Sequence, residues 1–315
     1  PLYIKQRLRG TLSLNWRLFD GFAYHTDLTL NQSWEQDKIW GGAIYNNYLD
    51  DETGAKLYAG NVEYTKRDSW GLRWTNTISY DFNFLPKQHR LNILLGHEVT
   101  DSGGSKMSIS ASHFPSNFTK DNAFAMINQY DADHGTSKFS SGVDIPGRIL
   151  SFFGRANYTL MDRYLFTVTF RADGSSKFSP EHRWGYFPAG AFAWRISDEP
   201  FFQPLARVVD NLKLRASYGV LGNQNIGVYP YQQIYELGHD YPFGNPVTLQ
   251  SGAYMKTYNN PEITWEKTAI TDIGLDFSLL NGRFSGTLDY FYKYTSDILA
   301  PVEVSSIMGR EAGQS

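Results

Sequence analysis

The chain has no cysteine, which excludes thiol catalysis, disulfide scaffolding and cysteine-based zinc sites. It also has no run of roughly 18 or more uncharged apolar residues, so no helix is long and apolar enough to span a membrane. A mean hydropathy of −0.42 agrees with this. A barrel stays open, because its strands dilute their apolar half with a polar half. Basic excess is missing too: the net charge of −3 gives no electrostatic footprint for nucleic acid. The seven histidines form no His-x-x-x-His or His-Glu-x-x-His pair, and no Gly-x-Ser-x-Gly elbow or Walker loop occurs. No catalytic residue, metal ligand or cofactor is nominated.

What is abundant is aromatic. Tyr (21), Phe (21) and Trp (8) make up 16% of the 315 residues. Rings with a polar edge suit bilayer interfaces, although a carbohydrate-binding surface or a propeller would also use them. The arrangement discriminates better than the amount. Over 7–18, Leu8, Leu12, Leu14, Trp16 and Leu18 fall on one face, against Arg7, Arg9, Thr11, Ser13, Asn15 and Arg17. This is a period of two. It lasts longer than the mean soluble strand of about 5–6 residues and reaches the roughly 9–11 residues that cross a bilayer. The same pattern recurs over 22–31, 70–84, from 91, over 150–160, 164–171, 212–218, 269–279 and 283–294.

The connections sort into two kinds. Phe19-Asp20-Gly21, Pro86-Lys87-Gln88, Met161-Asp162-Arg163 and Asn281-Gly282 are short, the last a strong hairpin signal. Polar stretches over roughly 35–69, 102–147, 173–185 and 220–262 are long and alternate with them. Short periplasmic turns and long extracellular loops are the rule of outer-membrane barrels. Residues 197–202 read as a short periplasmic helix with Ser197 or Asp198 as N-cap and Pro200 in the first turn. Residues 229–257 read equally as two strands or one folded loop. The expected fold is therefore all-β, a partial transmembrane antiparallel barrel.

Four blocks carry a family resemblance. Residues 151–202 run from Ser-Phe-Phe-Gly-Arg-Ala-Asn-Tyr through Phe-Arg-Ala-Asp-Gly-Ser-Ser-Lys-Phe to Trp-Arg-Ile-Ser-Asp-Glu-Pro-Phe-Phe. Leu-Arg-Ala-Ser-Tyr-Gly-Val-Leu-Gly-Asn-Gln follows at 214–224, Asn-Pro-Glu-Ile-Thr-Trp-Glu-Lys-Thr at 260–268, and Asp-Tyr-Phe-Tyr-Lys-Tyr-Thr-Ser-Asp-Ile-Leu at 289–299. They resemble the SusC/RagA family of TonB-dependent transporters. The resemblance implies about 10–12 strands of a barrel of about 22, in the outer membrane of a Bacteroidetes-type bacterium. It implies import of glycan or peptide fragments with a SusD-like surface lipoprotein as lid, driven through TonB–ExbB–ExbD, and no enzyme activity. Residues 1–315 are then part of the barrel domain; the plug and TonB box are not in this sequence, which reads as a piece of a longer protein. The competing readings are a secreted β-propeller or β-sandwich that binds or hydrolyses polysaccharide, and a passive porin. A propeller should repeat every 40–50 residues or so, and no such repeat is present.

Candidate cargo contacts are Arg155 and Arg171 on polar faces, and Trp40, Trp184 and Tyr186 near extracellular strand ends. Each has a plainer reading, as a partner of neighbouring strands for the arginines and as an interfacial ring for the aromatics. Asp50-Asp51 and Asp131-x-Asp133 read as solvated acidic loops before calcium sites, because the EF-hand ligand string is absent. Asp173-Gly174-Ser175-Ser176 reads first as a structural loop. Outer-membrane lipid is the expected surroundings.

Overall fold

The computed structural model describes residues 1–41, 47–49, 56–58, 60–82, 86–114, 118–133, 135–227, 230–233, 235–255, 259–302 and 313–314. Ten long strands form one sheet: β1 (Leu2–Phe19), β2 (Phe22–Gly41), β3 (Gly60–Asp81), β4 (His89–Phe114), β5 (Ser137–Leu160), β6 (Tyr164–Ser175), β7 (Trp184–Arg195), β8 (Val209–Asn223), β9 (Glu266–Leu279) and β10 (Phe284–Ser296). Their order in the sheet is their order in the chain. From β5 to β10 each neighbouring pair is antiparallel, with Phe166 opposite Phe192 and Leu214 opposite Leu275, and the β8–β9 register shifts once, between Val209 and Asn211. This up-and-down order is the expected barrel wall.

The chain folds as two units. The first comprises Pro1–Leu12, Leu28–Arg73 and Thr100–Pro146. Its core is Val62, Ala111, Phe114 and Ala123, with Trp40, Phe118, Phe124, Ile127 and Tyr130 packed around them. Ala123 belongs to a short helix α1 (Lys120–Ala125), which starts where the Thr119 hydroxyl accepts from the backbone N–H of Asn122. The second unit comprises Ser13–Asp27, Trp74–Val99 and Gly147–Ser315. In it, alternation is written directly into exposure. Phe166, Val168 and Phe170 of β6 are exposed, while Thr167, Thr169 and Arg171 between them are half-buried.

On this apolar face the rings form two belts. Trp74, His97, Phe152 and Trp184 follow one another at 5.6, 6.4 and 6.3 Å between centroids. Nearer the short turns, Phe19 meets Tyr80 at 6.2 Å, and Tyr158, Phe166 and Phe192 form a row at 6.2 and 4.9 Å. Trp74 lies six residues from Tyr80, as Phe152 does from Tyr158, a rise of roughly 20 Å along a strand. With strands tilted by about 40°, that is a height of about 15 Å, within the apolar band of about 25 Å that outer-membrane barrels present to lipid.

The structure corrects the sequence reading at three points and decides an alternative at a fourth. The polar stretches placed at 35–69 and 102–147 are much shorter as loops, because β2 continues to Gly41, β3 starts at Gly60, β4 reaches Phe114 and β5 starts at Ser137. Beyond the apolar band no lipid requires an apolar face, so pairing continues while side-chain alternation is no longer required. Next, β7 carries Pro188 and sets Ala189, Ala191 and Ala193 on its polar face, which blurs its pattern. Residues 235–255 add no wall strand: Tyr235–Leu237 pairs with Ala253–Met255, and Tyr241–Phe243 with Thr248–Gln250, as two small hairpins. Finally, the connection after β7 is two 3-10 turns, Ile196–Asp198 and Pro200–Leu205, with Glu199 at the N-cap position of the second. Ser197 and Asp198 lie inside the first turn and so cannot cap.

Glu199 makes no capping bond of its own. Its carboxylate accepts from the Tyr164 hydroxyl (2.6 Å), the Trp194 indole (3.0 Å) and the Arg163 guanidinium (3.2 Å). These bonds, Tyr164 first, hold the carboxyl below the ordinary glutamate value. The shorter turns follow backbone chemistry. Leu280, Asn281 and Gly282 all have positive φ (56°, 57° and 76°), which Asn and Gly tolerate best.

Two outcomes test this description. Phe166→Arg should destabilise the barrel by about 2–4 kcal/mol in reversible unfolding from lipid vesicles, whereas Ser217→Arg, on the polar face, should change it by about 1 kcal/mol or less. Equal costs would remove the assignment of faces. For Glu199 the folded pKa lies below the unfolded value of about 4.3, so its stabilisation is complete above that value and lost as pH falls through the folded one. The stability gap between wild type and Glu199→Gln should hold steady from about pH 7 to about pH 5 and close below about pH 4; a gap that persists in acid would mean the charge is not the cause.

Candidate functional site

Because alternate residues share a face, Arg171 and Asp173 point the same way on β6. The Arg171 Nε donates to both Asp173 carboxylate oxygens at 2.8 and 2.9 Å. Its Nη2 donates to Glu98 Oε1 of β4 (3.3 Å) and to the hydroxyl of Ser151 of β5 (3.0 Å). The Thr75 hydroxyl of β3 donates to the other Glu98 oxygen at 3.0 Å, and the guanidinium lies 5.5 Å from the centre of the Phe153 ring. Ser151 and Asp173 are buried. One cation thus joins four strands on the polar face.

A second network repeats the device across β8 to β10. Arg215 donates to both oxygens of Asp276 (3.0 Å each) and to Asp289 (2.9 Å), and Thr287 donates to Asp276 at 3.1 Å. Gly274 makes room for it: a Cβ there would lie 2.2 Å from the Asp289 carboxylate and 2.7 Å from the guanidinium. Both networks are charge-assisted and tie each cation to carboxylates of the wall itself, a polar wall rather than a set of free cations.

At the long-loop ends, the segments after β6 and β8 and before β9 close over one core. Phe178, Phe187, Ile226, Ile263 and Trp265 are buried together. Polar latches fix their backbones: Lys177 donates to the carbonyls of Gln224 (3.3 Å) and Ile226 (3.0 Å), Ser179 to that of Pro261 (3.0 Å), and the Trp265 indole to that of Arg183 (2.9 Å). The Phe187 ring reaches over Gly222, where a Cβ would stand 2.1 Å from it. Asp173-Gly174-Ser175-Ser176-Lys177-Phe178, Leu221-Gly222-Asn223-Gln224 and Asn260 to Glu266 are distant in sequence and meet in this clasp.

The candidates from sequence fall in different surroundings. Trp40 is half-buried in the first unit's core, edge-on to Phe114 at 6.2 Å. Trp184 lies over Gly174 and stacks beside Phe152, and Tyr186 stacks on Phe170 at 6.2 Å; both lie on the apolar face. Arg171 is engaged by Asp173, Glu98 and Ser151. Arg155 is exposed on the polar face and, among the described residues, donates one long 3.4 Å bond to Thr169. Asp131 accepts from the Asp133 N–H at 3.0 Å, closing its own turn; Asp50-Asp51 lie outside the described residues. Among the described residues, no three His, Asp or Glu converge as metal ligands. Sequence reading missed Glu98, Ser151, Asp276 and Asp289 as partners. The only local signal was Arg171-x-Asp173, since the other partners come from strands up to 74 residues away.

Comparison with known proteins places this geometry. A family model described as TonB dependent receptor-like, beta-barrel, matches residues 3–311. The TonB-dependent receptor SusC of Bacteroides thetaiotaomicron is 43% identical over 160 residues, 50% of this chain and 16% of that protein. The TonB-dependent receptor P26 of Formosa agariphila is 33% identical over 268 residues, 84% of this chain and 26% of that protein. The RagAB peptide transporter structure covers 100% of this chain with 33% of its own, at a TM-score of 0.74 and 21% identity, a likeness of fold. The chain thus spans between about a sixth and a quarter of the length of these curated relatives.

The internal role of Arg171 is testable against the exposed Arg155. Arg171→Leu leaves two carboxylates without their cation and should cost about 2–3 kcal/mol of stability, reduced from the fully buried case by partial solvent screening. Arg155→Ala should cost about 1 kcal/mol or less. Equal unfolding midpoints for the two variants would show that the four-strand junction carries no weight.

Proposed function

The chain belongs to the TonB dependent receptor-like β-barrel family, whose barrels lie in the bacterial outer membrane, and from that premise we propose that it is wall of an importer of glycan or peptide fragments. The match over 3–311 carries this reading. In it the polar face lines the lumen and the apolar face meets lipid. Cargo passes without bond chemistry, so the protein is not an enzyme. SusC-type similarity over half the chain and a RagAB-like fold support a SusD-like lipoprotein as partner at the long-loop side. Energy would arrive from TonB–ExbB–ExbD through a plug and TonB box in the remainder of the protein.

Arg155 is the cargo contact we carry forward. Its guanidinium is exposed on the lumen face and is free to offer a forked donor to a carboxylate or a sugar hydroxyl. Arg171, Trp40, Trp184 and Tyr186 then act through the wall: one as an internal junction, one as core, two as interfacial rings. The hairpins within 235–255 and the clasp below them form the loop surface that cargo meets first. A propeller or sandwich has no use for a ten-stranded sheet with one continuous apolar face.

In cells carrying the full-length gene, uptake of labelled oligosaccharide or peptide should stop when TonB is deleted or a protonophore is added. Arg155→Ala should lower uptake by about tenfold, the size of one lost charge-assisted hydrogen bond, at unchanged protein level. Uptake that continues without TonB would mean a passive pore and end the importer reading.

A further inference from the structure

The cations on the polar face of the first unit are less fully matched than Arg171 and Arg215. Side-chain pairs fix the register there. Lys5 is ion-paired with Glu35, and the hydroxyls of Thr11 and Thr29 meet at 3.1 Å, so Arg7 faces the same way as Lys5, one step along β1. The hydroxyls of Thr65 and Ser108 meet at 2.9 Å, and Thr75 reaches Glu98 at 3.0 Å. These two pairs share one register between β3 and β4, which sets Arg67 opposite Lys106 on the same face. Arg7 and Arg67 both act on the Glu35 carboxylate that Lys5 already holds.

Like charges directly opposite one another weaken a sheet, and the wall does little to relieve Arg67 and Lys106. β3 and β4 each have a sheet neighbour on both sides, so no further strand can bring them a carboxylate. Among the described residues neither forms an ion pair or a side-chain hydrogen bond. Asp144 of β5 stands beside Gly104, where a Cβ would lie 2.8 Å from its carboxylate, and does not pair with Lys106. Glu63 lies four residues from Arg67, and Asp37 two residues beyond Glu35, both toward the loops. Four residues are roughly 13 Å of strand, past the Debye length of about 8 Å. Lys5, Arg7, Arg67 and Lys106 are all exposed and belong to one unit.

We infer that Arg7, Arg67 and Lys106 form an anion-binding row that receives the carboxylate or sulfate groups of an acidic cargo fragment. The two guanidinium groups offer forked donors to such oxygens, and Lys106 adds a point charge. An anion lying across β3 and β4 relieves the repulsion that the wall leaves standing; a neutral fragment does not. The row stands near the long-loop ends of its strands, since β3 begins at Gly60 and β4 ends at Phe114. The inference rests on the importer reading, in which this face lines the lumen, and it narrows the cargo to acidic fragments.

The test is titration calorimetry on the full-length protein in detergent, at low and at physiological salt. The probes are matched charged and neutral pairs: hexagalacturonate and its methyl ester, hexaglutamate and hexaglutamine, a sulfated galactan oligomer and its desulfated form. At least one charged probe should bind about tenfold more tightly than its neutral partner at low salt, the size of one charge-assisted hydrogen bond. The preference should shrink as salt is raised, and the pair that shows it identifies the source of the anion. Arg67→Gln and Lys106→Gln should each remove about fivefold of it. Lys66→Gln takes the same charge from the opposite face of β3 and should leave it unchanged. If the wild type prefers no charged probe, the proposal is overturned, and this comparison needs no variant to fold. Equal losses in Lys66→Gln and Arg67→Gln would overturn it too, because net charge and not the row would then be acting. TonB-dependent uptake of neutral fragments alone would end this inference and leave the importer reading intact, whereas uptake without TonB would end the importer reading and leave the binding result standing.

Discussion

Every backbone N–H and C=O in a bilayer needs a partner within the protein, because hydrocarbon offers none. A sheet meets that demand only strand by strand, and each strand then has one face for lipid and one for the interior. The period-two sequence is the consequence. The exposed Phe166, Val168 and Phe170 and the enclosed Thr167, Thr169 and Arg171 are one strand answering one constraint from both sides. The polar face must then dispose of its own charges, since lumen side chains stand too close together for each to keep a full shell of water. Arg171 and Arg215 answer by gathering carboxylates from neighbouring strands.

These junctions also fix register. A slip of one residue between β8 and β9 would send Asp276 to the lipid face and leave Arg215 without its bidentate partner. Hydrogen-bond ladders alone tolerate such slips, because every register pairs the same backbone groups. Side-chain networks that span three or four strands do not. Gly274 is part of the same specification, since any side chain there would occupy the space in which the guanidinium meets Asp289. At the turns, Glu199 performs a related service by tying Tyr164, Trp194 and Arg163 to the connection that enters β8.

How much of this is legible in sequence depends on whether a residue answers a local or a distant demand. Strands facing lipid are legible, because lipid imposes the alternation itself. The upper parts of β2 to β5 are not, since no lipid imposes alternation there and the strands persist on pairing and on a local core around Val62 and Phe114. β7 is hidden by Pro188 and by a polar face of alanines, which carry no polarity for a pattern to show. The helical start at 197–202 is legible as a turn, but its cap is not: glutamate is a weak capping residue, and Glu199 is held here by side chains from β6 and β7. Of the five contact candidates, the sequence identified side chains of the right chemistry on faces it could only partly assign. Placing Trp184 and Tyr186 on the apolar face required the register of β7 against β6.

The four blocks that carry the family resemblance come together mainly where the long-loop segments close, around Phe178, Phe187 and Trp265. Residues there meet demands that few substitutions satisfy. Gly222 must lie under a phenylalanine ring, Lys177 must reach two carbonyls, and Trp265 must fill the core while its indole finds a third. Such positions make a family recognisable because they specify how the loops are held. Arg155 and the exposed hairpins of 235–255 lie under no such demand. Their side chains can change without undoing the clasp, which on the proposed importer reading leaves choice of cargo free to vary.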